Sequence, residues 1–186
     1  MKRDHLKFGK LPSAPMLAHF TRASGKSSAL DNLLWILDDR RIRGSSRMMP
    51  TGVRGVCLFD APPQELAHLL TPQNRRRYEP FGVAIDKRYA FSMGARPVIY
   101  MPAAEAATIL DADEMWRVVS IDMNRNPPID WTFEREWRVL GDLPIQPQLS
   151  VALVAGWRDV DEIYERFNGK PPCAGVIPLK EIFETR

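Results

Sequence analysis

Trp131-Thr132-Phe133-Glu134-Arg135-Glu136-Trp137-Arg138-Val139-Leu140 is the stretch on which the reading of this chain turns. Its aromatic and apolar side chains recur at every second position, the period of a β-strand. Read as one strand, Trp131, Phe133, Trp137 and Val139 share a face that only Arg135 interrupts. Thr132, Glu134, Glu136, Arg138 and Leu140 share the other. Two carboxylates and a guanidinium then stand in a row on a strand that is otherwise half buried. A buried carboxylate is costly unless it is paired or put to use. Two neighbouring carboxylates also push one pKa up, a common device at catalytic sites. The same row equally suits an exposed face on which Glu and Arg neutralise each other.

The rest of the chain sets the frame for that strand. A length of 186 residues suits one domain with a good core, and 45% hydrophobic and 26% charged residues are ordinary for a soluble globular protein. The 16 prolines imply many short elements and fixed turns. Cys57 and Cys173 both sit in apolar runs and do not make a disulfide framework, so a reduced, cytosolic protein is the expectation. Met1 to Lys10 has no apolar core of signal-peptide length, and no run approaches the ~20 apolar residues of a membrane span. His5, His19 and His68 are scattered, and no Cys or His spacing suits a metal. Glycine-rich nucleotide loops are missing too, so any nucleotide would be held by another architecture.

Charge is uneven. Residues 1–100 carry 17 Lys and Arg against 8 Asp and Glu, whereas residues 101–186 carry 9 against 15. The basic first half is either a surface for nucleic acid or another anion, or a solvated face that pairs with the acidic half.

Residues 1–14 read as an irregular basic lead-in, and 15–186 as the folded domain. Pro15 to Thr21 alternates as a first strand. Ser28 followed by Asp31 is a helix-start signal, and Leu30, Leu33, Leu34 and Leu37 predict an amphipathic helix over 29–39. Arg43 to Arg54 holds three Arg, two Gly, one Pro and no acid, which predicts a weakly ordered basic loop that meets phosphate. Strands are expected at Val56–Phe59, Phe81–Ile85, Pro97–Met101, Leu149–Ala155 and Gly175–Leu179. Helices are expected from Pro62 to Leu70, Lys87 to Met93, Pro102 to Leu110 and Trp157 to Phe167, with Arg75-Arg76-Arg77 as a basic turn. The pattern predicts an α+β fold with helices against a mixed or split sheet.

Three motifs, in order, carry a family resemblance. They are His19-Phe-Thr21 with Asn32-Leu33, Ile36-Leu37 and Ile42; Pro80-Phe81-Gly82 with Arg96-Pro97-Val98-Ile99-Tyr100; and Glu136-Trp-Arg-Val139 with Leu143-Pro144 and Val151 to Val154. Over roughly residues 16–155 the chain resembles the ADP-ribosyltransferase fold, most closely the DarT-like toxins and related phage-defence (abortive-infection) proteins. The resemblance rests on the number, order and spacing of the motifs.

That resemblance implies a single α+β domain with a split, mostly antiparallel sheet around an NAD cleft, and an NAD-dependent ADP-ribosyltransferase that modifies a macromolecule. It implies that His19 and Thr21 hold NAD and that Glu136 is the catalytic glutamate. The family's arginine stands two residues before the proline of its strand, whereas Arg96 directly precedes Pro97, so Arg88 or Lys87 is an alternative to Arg96. Glu134 of the Glu-Arg-Glu triplet resembles the first member of the pair found in arginine-modifying transferases. The chemistry suits these residue types. A carboxylate stabilises the oxocarbenium-like centre left when the nicotinamide–ribose bond breaks. Glu134 would orient or deprotonate the acceptor, and an arginine would bind pyrophosphate. Tyr100 or Trp131 would stack on the nicotinamide ring. DNA or RNA is favoured over protein as acceptor, with Arg47, Arg54, Arg75, Arg76 and Arg77 as phosphate contacts. A toxin or antiviral effector of this kind would be cytoplasmic, metal-free, away from membranes and open to a neutralising antitoxin partner. NAD hydrolysis and a non-catalytic binding module of the same fold are the rival readings.

Overall fold

The computed structural model describes residues 14–47, 49, 50, 52–60 and 78–184, with backbone alone at 182–184. The expected helix from Pro62 to Leu70 and the Arg75–Arg77 turn lie outside the described residues, as does nearly all of the lead-in.

The fold is mixed α+β, with a mostly antiparallel sheet and flanking helices. Seven strands form the main sheet. In spatial order they are β11 (Val176–Pro178), β10 (Ser150–Val154), β4 (Gly82–Asp86), β1 (Met16–Phe20), β3 (Gly55–Phe59), β8 (Glu136–Leu140) and β5 (Arg96–Pro97). Only β10 and β11 run parallel in it. Two short ribbons complete the strands. One joins β2 (Arg41–Ile42) to β9 (Leu143–Pro144), and a parallel one joins β6 (Ile99–Met101) to β7 (Val118–Ser120).

Helix α1 (Ala29–Asp39) starts where the sequence signal places it. The Ser28 hydroxyl accepts from the Asp31 N–H, and the Asp31 carboxylate accepts from the Ser28 N–H, a reciprocal box that satisfies two orphan donors. Its Leu33 and Leu37 are buried on one face of the sheet. They meet Leu17, Val56, Leu58, Val83, Ile85 and Val139, together with Ala90 of α2 (Lys87–Ser92) and Val160 and Ile163 of α4 (Trp157–Arg166). A smaller cluster of Ala18, Phe20, Phe59, Tyr78, Ala84, Val151 and Leu153 covers the other face. It includes Leu179, the first residue of α5 (Leu179–Glu184), which the sequence pattern does not announce. Helix α3 (Ala103–Ile109) follows Pro102, whose fixed φ suits a helix start. Among the described residues no helix is long and apolar enough to cross a membrane.

Two expected strands need correction. Pro97–Met101 is not one strand. It divides at Val98 into β5, on the edge of the main sheet, and β6, which belongs to a separate ribbon. The Trp131–Leu140 strand begins only at Glu136. Thr132–Glu134 is a single 3-10 turn, and Arg135 adopts the left-handed conformation at φ 44°. One left-handed residue breaks the two-residue period, so the alternation predicted across the whole stretch holds only from Glu136 onward.

The sheet has one weak seam. β1 pairs with β4 through all five of its residues but with β3 through a single pair, Ala18 with Phe59. Gly82 permits the close β1–β4 contact, since a Cβ there would stand 2.3 Å from the His19 carbonyl oxygen. β3 is in turn fully laddered to β8. Beyond Ala18, β1 and β3 part, and a cleft opens there.

Candidate active site

The cleft, of about 320 Å³, is lined by His19, Phe20 and Arg22 on one side and by Gly55 to Cys57, Phe59, Glu136 and Arg138 on the other. Tyr78 and Glu134 close its end, and Arg43, Ser45 and Arg47 stand at its mouth. His19 sits at the parting of the strands. Its Nδ1 lies 2.9 Å from the Cys57 carbonyl oxygen. A carbonyl only accepts, so Nδ1 carries the hydrogen and Nε2 is left as an acceptor. Burial holds the His19 pKa below its ordinary value, which favours this neutral form.

Glu134 and Glu136 reach the cleft by different routes. Glu136, the first residue of β8, sits opposite Phe59, and Arg138 sits opposite Cys57. Both are almost fully buried, at 6% and 4% exposure. The Arg138 fork grips both Glu136 oxygens, Nε to Oε1 at 2.8 Å and Nη2 to Oε2 at 3.3 Å. Its remaining nitrogen donates to the carbonyls of Trp116 and Val118 at 2.7 and 3.1 Å. The guanidinium is thereby satisfied in a place too dry to tolerate a lone charge. The main-chain N–H of Glu136 donates to the Tyr100 hydroxyl at 2.8 Å. Glu134 arrives on the 3-10 turn, and the left-handed Arg135 returns the chain so that two residues of the triplet meet the same cleft. The Tyr78 hydroxyl donates to Glu134 Oε1. Tyr78 is steadied by an edge-on contact with Phe59 at 5.0 Å, and Phe59 packs on Phe20 at 5.9 Å.

Neighbouring groups register this charge. The Cys57 thiol pKa is pushed up, first by burial and then by the adjacent Glu136 carboxylate, which favours the neutral thiol on the cleft wall. The Tyr100 hydroxyl is pushed up to about 12, by burial and by Glu136 and Glu134.

Beyond its mouth the cleft continues into a wider groove of about 940 Å³, with which it shares His19, Phe20, Arg22, Arg43, Ser45 and Arg47. The far wall is α1, which contributes Asn32, Trp35, Ile36, Asp38 and Asp39. Arg43, Ser45 and Arg47 of the basic loop border the cleft, and the two ends of the loop are tied by hydrogen bonds, while Met48 and Thr51 lie outside the described residues. The Gly44 N–H donates to Asp142 at 2.9 Å, Ser45 bridges to Gly55, and Arg54 donates to the Gly44 carbonyl and to Asp142. Gly44 also lies so near the Gly141 carbonyl oxygen that a Cβ would stand 2.1 Å from it.

The fold thus gathers His19, Glu134, Glu136 and Arg47 from the sequence-derived candidates at the inner cleft. Arg75, Arg76 and Arg77 lie outside the described residues, and the remaining candidates do not line that cleft. The Thr21 hydroxyl faces the wide groove but donates to the carbonyls of Ala29 and Phe81 at 2.7 and 3.1 Å, so it ties β1 to α1 and β4. Arg96 lines neither cavity. Its guanidinium lies over the Phe91 ring at 4.1 Å and donates to the Phe91 and Ala95 carbonyls. Arg88 is exposed on α2, and Lys87 is engaged by Asp60 and the Trp137 ring. Both belong to the end of β4 away from the Gly82–Phe20 end where the cleft opens. Tyr100 supports Glu136 from behind, and Trp131 packs on Phe133 at 6.2 Å, outside the cleft. Arg54 is spent on the loop. Arg138, which the alternation places in a row with the two carboxylates, proves to be the partner of Glu136. Arg22, Trp35 and Tyr78 are the residues that sequence reasoning missed, and of these Trp35 carried a signal, since it falls outside the apolar stripe of an amphipathic helix.

Among the described residues no group of three or more His, Cys, Asp or Glu side chains could hold a metal ion. No protein-family model, no curated protein and no solved structure matches this chain.

Proposed function

We propose that this chain is an NAD-dependent ADP-ribosyltransferase that modifies a macromolecule, in the manner of a toxin or phage-defence effector. The observation that carries the reading is one cleft, at the parting of two strands, that holds an imidazole acceptor and two buried carboxylates. The sequence motifs that resemble the transferases supply these three groups, His19, Glu134 and Glu136, to its wall.

In this reading the nicotinamide riboside half of NAD enters the inner cleft. Glu136, immobilised by Arg138, keeps a second lone-pair direction on each oxygen for a ribose hydroxyl and stabilises positive charge developing at the anomeric carbon. Nicotinamide leaves with the electron pair of the C–N bond. A nucleophile of the acceptor forms the new bond to that carbon, and its proton passes to Glu134. Arg22 and Arg47 replace Arg96 and Arg88 as the anion-binding arginines, because they stand in the cleft with no side-chain partner among the described residues. The excess of Lys and Arg in residues 1–100 favours an acceptor bearing phosphate, hence DNA or RNA over protein.

The test is to incubate the purified chain with NAD alone, then with DNA, RNA and a mixture of proteins, and to follow released nicotinamide and added mass. Nicotinamide release with ADP-ribose on nucleic acid is expected. Release without any modified macromolecule would make the protein a glycohydrolase. No release with any acceptor would overturn the reading.

A further inference from the structure

We infer that the wide groove is a nucleoside-diphosphate site in which Trp35 stacks on the base while Arg22 and Arg47 grip the two phosphates. This rests on the NAD reading of the inner cleft and says where the other half of the dinucleotide goes.

Three observations converge. The first is size. Small-molecule sites span about 300–1,000 Å³, and the inner cleft, at about 320 Å³, has room for one ring and its sugar. A dinucleotide has two of each plus a pyrophosphate. The remainder must lie where the cleft leads, and the wide groove shares its mouth residues.

The second is charge. Arg22 and Arg47 line both cavities, and neither guanidinium has a hydrogen-bond or ion-pair partner among the described residues. The carboxylates at the rim are already neutralised. Asp39 accepts from Arg43 at 3.0 Å, and Asp38 pairs with Arg166 at 2.6 Å. Asp142, behind the loop, is shared by Arg41 and Arg54. The unspent charge at the junction is therefore positive, and guanidinium forks match phosphate oxygens.

The third is Trp35. It is 60% exposed on a helix that buries Leu33 and Leu37 beneath it, and it stands on the groove wall between Asn32 and Asp38. A tryptophan left in water gains most when a flat ring covers it, and purine bases supply one. Asn32 is fixed in turn, its amide donating to the Arg22 carbonyl at 2.7 Å and to the Ser24 hydroxyl at 3.2 Å, so the Arg22 backbone is tied to the helix that carries Trp35.

The experiment titrates ADP into the full chain by calorimetry and, separately, measures KM for NAD in nicotinamide release. Wild type should bind ADP, with affinity that falls as salt rises. Trp35→Leu should weaken ADP binding by roughly tenfold, the scale of one base–aromatic stack. Arg22→Gln should weaken it similarly and flatten its salt dependence. Both substitutions fall on half-buried or exposed side chains, and unchanged thermal midpoints will show the fold intact. ADP binding that needs Trp35 and Arg22, without NAD cleavage, would keep this site and sink the transferase. NAD cleavage whose KM ignores both substitutions would keep the transferase and overturn the site. Absence of ADP binding by wild type would also overturn it.

Discussion

β1 is held unequally on its two sides, and the inequality organises the molecule. Toward β4 every residue is paired, and the side chains that cover this half are Leu17, Val83, Ile85, Val151 and Leu153, all nearly or wholly buried. Toward β3 only one pair forms. The only buried charged side chains among the described residues, Glu134, Glu136 and Arg138, lie on that open side. A closed ladder satisfies its own backbone, so apolar packing can stabilise it alone. An opened ladder leaves space and unpaired polar groups, which must find side chains. His19 on the Cys57 carbonyl is one such substitution. The contrast teaches that apolar packing runs through both halves of the sheet, whereas the buried charges gather only where the ladder opens.

The largest break in that contrast should come from Arg138→Leu. Leaving Glu136 buried without its partner should cost about 3–5 kcal/mol in denaturant unfolding. A variant as stable as wild type would mean that the pair is not dry. Next, Glu136→Gln should lower nicotinamide release about 10²–10³-fold while NAD still binds. Wild-type turnover would remove Glu136 from the chemistry. On the closed side, Leu153→Ala should cost about 2–5 kcal/mol of stability yet leave the turnover of the folded fraction unchanged. Loss of turnover there would show that the two halves are coupled.

A smaller effect is expected from His19. Its folded pKa lies below the ordinary value of 6.5, so as pH falls the unfolded chain takes the proton first. Stability should therefore drop from about pH 6.5 downward and level off below the folded pKa. His19→Gln should flatten that part of the stability–pH curve while weakening NAD binding at neutral pH. The smallest effect belongs to Ser28→Ala. Loss of the α1 cap should cost about 1 kcal/mol, read as a lower thermal midpoint.

Legibility followed the same division. β1, α1 with its capping box, α4 and the β10 run can be read locally, because the period or cap that marks each lies within a few residues of sequence. The Glu-Arg-Glu stretch misled as a strand because nothing in its alternation marks Arg135 as left-handed. Turn and strand there differ over residues 131 to 135, where a 3-10 turn and the left-handed Arg135 replace extended backbone. Val98 likewise splits a run that looks continuous, since β5 and β6 answer to different neighbours.

The order of periodic segments by itself determined an α+β chain with a basic loop after its first helix, alternation singled out Glu134 and Glu136, and His19 entered through the family resemblance. Tertiary structure decided what those residues meet. Tyr78 reaches Glu134 across 56 residues of sequence, and His19 reaches Cys57 across 38. It also decided that Arg96 turns onto Phe91 while Arg22 and Arg47 stand at the cleft with no side-chain partner among the described residues. The physical reason is range. Helical and strand propensities act over a turn or a pleat, whereas a cleft exists only where two distant strands fail to close, and which charges line it depends on which ones packing has already used.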